Sequence, residues 1–246
     1  MWTTEPTILD DGQIDSFLIT CEHGGNRIPA LCRSLFRGQR KLLESHRGYD
    51  PGALVMARAL GRAFAAGVVS STVSRLVIDL NRSIGHPRLW SSATRGAPRE
   101  LRTTIIDRYY RPYRAEVVQR VRQSAARGRR VIHVSSHSFT PVLNGHVRSA
   151  DVGLLYDPRR RGEAALCARW KAALGAIAPA LRVRRNYPYA GNGDGLTSTL
   201  RLAFANRDYV GIELEINQQI VLAGGRQWTA LRGTLIDSLR RACASR

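Results

Sequence analysis

The feature that most constrains this chain is a repeated order: a short apolar, β-branched run followed by a stretch with helical periodicity. "SFLIT" (16–20) reads as a strand, and residues 51–66 as a helix that starts on Asp50-Pro51 and stops at Gly67. "VVSSTVSRLVIDLNR" (68–82) carries strand material ending at Asp79, Asn81 and Arg82, and residues 102–128 read as a long helix bent at Pro112. Further strands are expected at about 130–135, in "DVGLLYD" (151–157) and in "YVGIELEIN" (209–217), with helices over 163–178 and 227–244. Strands spaced by helices predict a three-layer α/β/α sandwich of the hydrolase type with a mostly parallel central sheet. No internal repeat and no linker divides the 246 residues, so a single domain over 1–246 is expected.

Composition narrows the function classes. No run of about 18 apolar residues exists, so no membrane-spanning helix is expected. The first twenty residues carry acids and lack a basic segment followed by an apolar one, which argues against a secretory signal. Cys21, Cys32, Cys167 and Cys243 form no CxxC pair, and a reducing cytoplasm is the simplest setting for them. The formal charge of +19 invites a nucleic-acid or membrane-surface partner. Yet its cations are almost all arginine, with Lys41 and Lys171 the only lysines, and they form no long unbroken block. Such a bias often follows base composition of the gene, and a small anionic substrate suits a positive cleft equally well. Nucleic acid is therefore not the expected partner.

In an open α/β sheet, ligands sit in the crevice beyond the carboxyl ends of the strands. The polar residues collect there. "FLIT" runs into Glu22, His23 and Asn26; "RLVIDL" into Asn81 and Arg82; "VIHVS" into His137. Glu213, Glu215 and Asn217 alternate along one face of the late strand. His133 lies within its strand and reads as a satisfied core histidine. His137 lies past the expected strand end, where the hydroxyls of Ser136 and Ser138 are placed to orient its ring. Asp50 reads either as a helix N-cap or as a site carboxylate, and Asp79 as a partner for Arg82. Two carboxylates buried on one strand face, Glu213 and Glu215, push one pKa upward unless a cation sits between them.

No GxSxG elbow supports a serine nucleophile. A metal site accounts for more: two histidines from separate strand ends and a carboxylate leave one position open on Zn²⁺ for water. A nearby glutamate then takes a proton and passes it to a leaving nitrogen, and arginines clamp substrate carboxylates. These parts make a metal-assisted amide hydrolase that prefers acidic substrates.

"CEHGGNRIP", "HRGYDPGA", "SRLVIDLNRS", "HVSSHSFTP", "DVGLLYDPRR", "RRNYPYAGNGDGLTSTLR" and "YVGIELEINQ" occur in order from about residue 16 to 220. As an ordered set they resemble the N-formylglutamate amidohydrolase family, which ends one route of histidine breakdown and is similar in fold to zinc carboxypeptidase-like hydrolases. The resemblance implies one metal, Zn²⁺ first, on His23 and His137. Where the wider group has a glutamate three residues after the first histidine, this chain has Asn26, so Asp50 is the expected third ligand and Glu22 the reserve. It implies Glu215 as general base, with Glu213 second, and Arg82, Arg148, Asn186 and Tyr189 as substrate-binding residues. The expected reaction is hydrolysis of N-formyl-L-glutamate to formate and L-glutamate. The alternatives are a hydrolase of another N-acyl amino acid or small peptide, and a basic nucleic-acid-binding protein on an inactive hydrolase fold.

Overall fold

A computed structural model describes residues 15–244; the N-terminal segment read against a secretory signal lies almost wholly outside them. From the N-terminal side the chain forms β1 (Asp15–Cys21), a 3₁₀ turn, α1 (Arg40–Glu44), α2 (Ala53–Ala63), β2 (Gly67–Ser70), α3 (Ser92–Arg95) and α4 (Arg99–Ile105). A single π turn then leads into α5 (Arg111–Ala125), β3 (Arg130–Phe139), and the hairpin of β4 (Val142–Leu143) and β5 (His146–Val147). β6 (Val152–Leu155), α6 (Arg161–Ile177), β7 (Val183–Arg185), α7 (Leu196–Ala203), β8 (Tyr209–Asn217), α8 (Gln218–Ala223) and α9 (Gly225–Ala244) complete it.

The main sheet has the order β2-β1-β3-β8-β6-β7. Four strands, β2, β1, β3 and β8, run parallel, whereas β6 lies antiparallel to β8 and carries β7 with it. Every residue of β3 is buried, as expected of a central strand covered on both faces. Alternate side chains feed two cores. Ile19, Ile132, Val134, Ile212 and Leu214 pack with α2, α6 and α9, and Leu18, Val131 and Tyr209 pack with α5 and α7. The sandwich is thus three-layered, as the spacing of elements predicts.

The differences from expectation have local causes. The run 68–82 is a strand only over β2; beyond it, the Arg27 N–H donates to the Thr72 carbonyl and turns close at Ser74–Val77 and Asp79–Arg82. Leu76, Val77, Ile78 and Leu80 are nevertheless buried in the α5-side core, so an apolar run here is coil sunk into the core. The helix expected over 102–128 is interrupted by the π turn Ile106–Tyr110, two residues before Pro112, whose missing N–H leaves the helix ladder open there. The strand at 130–135 extends to Phe139 and takes His137 inside it. Asn144 and Gly145, both at positive φ, make the tight turn of the β4–β5 hairpin. Among the described residues no helix is long and apolar enough to cross a membrane.

Candidate active site

Register explains why polar groups meet in one place. Thr20 lies beside Ser135, Ser135 beside Glu213, and His137 beside Glu215, so residues of one parity on three neighbouring strands form a polar row on the α5 side. The row begins structurally: His133 contacts the Thr20 hydroxyl at 2.8 Å and the Tyr209 hydroxyl at 2.7 Å, the satisfied core histidine expected. It becomes a site one turn of the pleat later.

At the end of β1 the chain leaves through Gly24 and Gly25, where a Cβ would stand 2.9 Å from the Ser71 carbonyl and 2.8 Å from that of Thr72. That close approach turns His23 inward, and its carbonyl accepts the Asp50 N–H at 2.9 Å. Asp50 does not cap α2: the N-cap is Gly52, in the left-handed conformation with φ 77°, and the Asp50 side chain is free to enter the site. Its Oδ2 lies 3.3 Å from His23 Nδ1 and 2.9 Å from His137 Nδ1. Both far ring nitrogens meet carboxylates, His23 Nε2 at 2.7 Å from Asp79 and His137 Nε2 at 3.0 Å from Glu22. Ser135, not Ser136 or Ser138, touches the His137 ring, at 2.9 Å, and also donates to Glu22 at 2.6 Å. Ser136 and Ser138 point to the other face and donate to the carbonyls of Ala53 and Pro51, fixing the start of α2.

Burial works against every charge here, and partners decide the outcome. Burial would raise the Glu22 carboxyl, but hydrogen bonds from His137, Ser135 and Tyr113 hold it far below the usual range. Asp50, despite its burial, is held low by His23, His137 and Arg75, and Asp79 by Arg75 and His23. His137 is disfavoured as a cation by burial, yet Asp50 and Glu22 push its pKa well up. Glu215 stands apart: burial and neighbouring carboxylates lift it to about 8 against the pull of His137 and Arg75. One of its buried oxygens, Oε2, has no hydrogen-bond partner among the described residues. A buried carboxylate oxygen left open is an acceptor kept for something else.

A cavity of about 390 Å³ opens above these groups, lined among others by His23, Asp50, His137, Glu213, Glu215, Arg82 and Tyr189. His23, Asp50 and His137 offer ligand atoms within 4.8 Å of one another, and all three residues are buried. Two imidazole nitrogens and a carboxylate oxygen, with carboxylates on the remote ring nitrogens and an open side toward a cavity, suit a divalent metal such as Zn²⁺. These residues could hold one. Glu22 meets the far nitrogen of His137 and lies outside this donor set.

The other expected residues divide. Glu213 accepts from Thr197 at 2.6 Å on the cavity wall. Arg82 reaches the Asp194 carbonyl, not Asp79; Asp79 is instead gripped by Arg75 at 2.7 and 3.2 Å. Arg148 lies outside the lining and donates to the hydroxyl of Tyr189 at 3.0 Å, its guanidinium 4.9 Å from that ring. Asn186 is also outside: at φ 50° it accepts the N–H groups of Tyr156 and Gly191 and shapes the "NYPYAGNGDG" loop. Asn26 donates to the Leu43 carbonyl. Arg75, His86, Arg88 and Asp194 line the cavity without having been singled out in the sequence. Arg75 sat inside an expected strand, and no local signal marks a strand arginine as one that reaches Asp50 as well as Asp79.

The family model for N-formylglutamate amidohydrolase matches residues 15–222. Among solved structures, a gene product of Agrobacterium tumefaciens is 31% identical, with a TM-score of 0.79 over 94% of this chain and 91% of that one. N-formylglutamate amidohydrolase from Ralstonia eutropha JMP134 is 20% identical, with a TM-score of 0.66 over 97% of this chain and 96% of that one. A search of curated proteins finds no match.

Proposed function

Since the chain belongs to the N-formylglutamate amidohydrolase family, we propose that it hydrolyses the amide bond of an N-acyl amino acid, N-formyl-L-glutamate first. The reaction is the one that ends a route of histidine breakdown, giving formate and L-glutamate, and we assign it to a single domain working in the cytoplasm, where four buried free cysteines stay thiols. His23, Asp50 and His137 would hold one Zn²⁺. Bound there, the metal would supply a lowered pKa for water and a polarised acyl carbonyl.

The remaining steps belong to the chain. Glu215, across the β3–β8 register from His137, takes the proton of the attacking water and returns it to the leaving nitrogen. To act as a base it must first lose the proton that burial favours, and a metal held by the neighbouring triad would favour that loss. The acyl carbon–nitrogen bond breaks, water's oxygen stays on the acyl carbon as formate, and the amine leaves with the proton. Glu22 and Asp79 hold the two imidazoles by their far nitrogens, so the rings do not turn during the cycle. Arg82 and Arg88 make the cavity wall positive where the substrate carboxylates lie. Arg148 supports Tyr189, which stands at the mouth.

The observation that carries this reading is the pairing of a buried His-Asp-His donor set with the unpartnered Glu215 oxygen in one cavity. Purified protein is expected to release glutamate from N-formyl-L-glutamate, to stop with chelator and to recover with zinc. Stoichiometric metal without release would redirect the reading to other N-acyl substrates. Neither metal nor release would overturn it and leave the arginine-rich surface as the remaining clue.

A further inference from the structure

Beside the reaction cavity lies a second concavity of about 340 Å³, and the two share Arg75 and Arg88. Arg47 and Arg95 supply the rest of its basic lining, with Trp90 at its side. Its only carboxylate is Asp79, already taken by His23 at 2.7 Å and by Arg75 at 2.7 Å. Arg47, Arg88 and Arg95 are exposed, and no carboxylate pairs with them among the described residues. Arg95 gives one nitrogen to the Pro87 carbonyl at 3.0 Å.

What sets these three apart is their placement: some exposed arginines stand against a carboxylate, as Arg40 does with Glu44, Arg120 with Glu116 and Arg182 with Asp151, whereas Arg47, Arg88 and Arg95 line one hollow beside the reaction cavity. Three uncompensated guanidiniums converging on one hollow repel one another, a cost offset when an anion enters. The shared wall of Arg75 and Arg88 puts the hollow next to the reaction cavity. In a single N-acyl amino acid the α-carboxylate sits next to the scissile nitrogen. In a dipeptide that carboxylate becomes an amide, and the negative charge moves outward by one residue, roughly 3.5 Å.

We infer that the concavity of Arg47, Arg88 and Arg95 is a second anion subsite, which takes the carboxylates of an acidic residue following the acylated one. Resting on the amidohydrolase reading, this extends the substrate class to N-acyl dipeptides with an acidic second residue. The balance is unchanged: water cleaves the acyl carbon–nitrogen bond, its oxygen goes to the acyl group and its proton to the amine. The peptide bond of the product stays intact.

The test compares N-formyl-glutamyl-glutamate with N-formyl-glutamyl-glutamine, which differ by one charge at the far side chain. The natural chain is expected to favour N-formyl-glutamyl-glutamate in kcat/KM by about tenfold or more, the scale of a charge-assisted hydrogen bond. The ratio is expected to fall to about one in the Arg47→Ala/Arg95→Ala variant. Equal rates for both peptides, or a preference that survives in the variant, would overturn the subsite. Calorimetric titration with the products glutamyl-glutamate and glutamyl-glutamine reads the same preference without turnover. Arginine-dependent tighter binding of glutamyl-glutamate with no hydrolysis would sink the amidohydrolase reading and keep the subsite. Hydrolysis with no preference in either measurement would do the reverse.

Discussion

Glu22 and Glu215 both neighbour His137, and both are buried, yet they are held in opposite protonation states. Glu22 accepts three hydrogen bonds and stays a carboxylate; Glu215 has an oxygen with no partner and is pushed up to about 8. The two are therefore expected to fail differently. Glu22→Gln keeps the shape but loses the charge behind His137, and metal affinity is expected to drop about 10–100-fold with turnover recovered at saturating metal. Glu215→Gln is expected to bind metal in full and lose about a hundredfold or more in kcat. Metal competition against a chelating dye, beside kcat at saturating metal, separates the two; full activity in Glu215→Gln would remove it as the base. At this scale much of the site was legible, because period-two alternation and strand ends are local signals: His23, His137, Glu213 and Glu215 all line the cavity. Asp50 was ambiguous, since a carboxylate before Pro51 suits a cap until Gly52 is seen to hold that position. Arg75 and the structural role of Asn186 were not legible, because each depends on a partner distant in sequence.

Elements hold the Gly-rich loop over the cavity through one buried ion pair. Arg201 on α7 meets Glu163 on α6 at 2.9 Å and donates to the carbonyls of Gly191 and Gly211 at 2.6 and 3.0 Å. Glu163 in turn accepts the N–H groups of Asp157 and Gly211. At Gly191 a Cβ would lie 2.0 Å from the Tyr156 nitrogen, so loop and β6 edge touch through backbone. Arg201→Met is expected to leave the buried Glu163 charged with only Arg160, at 3.5 Å, beside it, at a cost of about 3 kcal/mol by urea unfolding. A change below about 0.5 kcal/mol, the scale of an ordinary surface substitution, would show that the pair is not what fixes the loop. At this scale the layers and the long helices followed from periodicity, which reports whether a segment is helix or strand but not its direction. The reversed β6 and β7 were therefore invisible, as was the coil at 73–82, whose apolar run is buried without being a strand.

Across the whole molecule, two buried groups tilt stability against pH in opposite directions in the metal-free protein. Burial lowers His133 from its ordinary 6.5 to about 4. Between those values the unfolded chain binds a proton that the folded one refuses, so this group costs stability as pH falls. Burial raises Glu215 from 4.5 to about 8. In that window the folded chain keeps a proton the unfolded one releases, so this group costs stability as pH rises. At about 1.4 kcal/mol per pH unit the two effects are on the order of 3 and 5 kcal/mol, and they partly cancel between pH 4.5 and 6.5. The net curve is therefore a poor witness, and the differences between variants are the informative quantity. Charge repulsion from the formal +19 enters every curve nearly alike and largely drops out of those differences at fixed ionic strength. Relative to the natural chain, His133→Gln is expected to gain stability as pH falls from 6.5 to 4.5, and Glu215→Gln as pH rises from 4.5 to 8. Urea unfolding at pH 4.5, 6.5 and 8 measures both slopes. Flat differences would mean that neither group is desolvated in the folded chain, and a tilt in one variant alone would identify which end of the polar row stays dry.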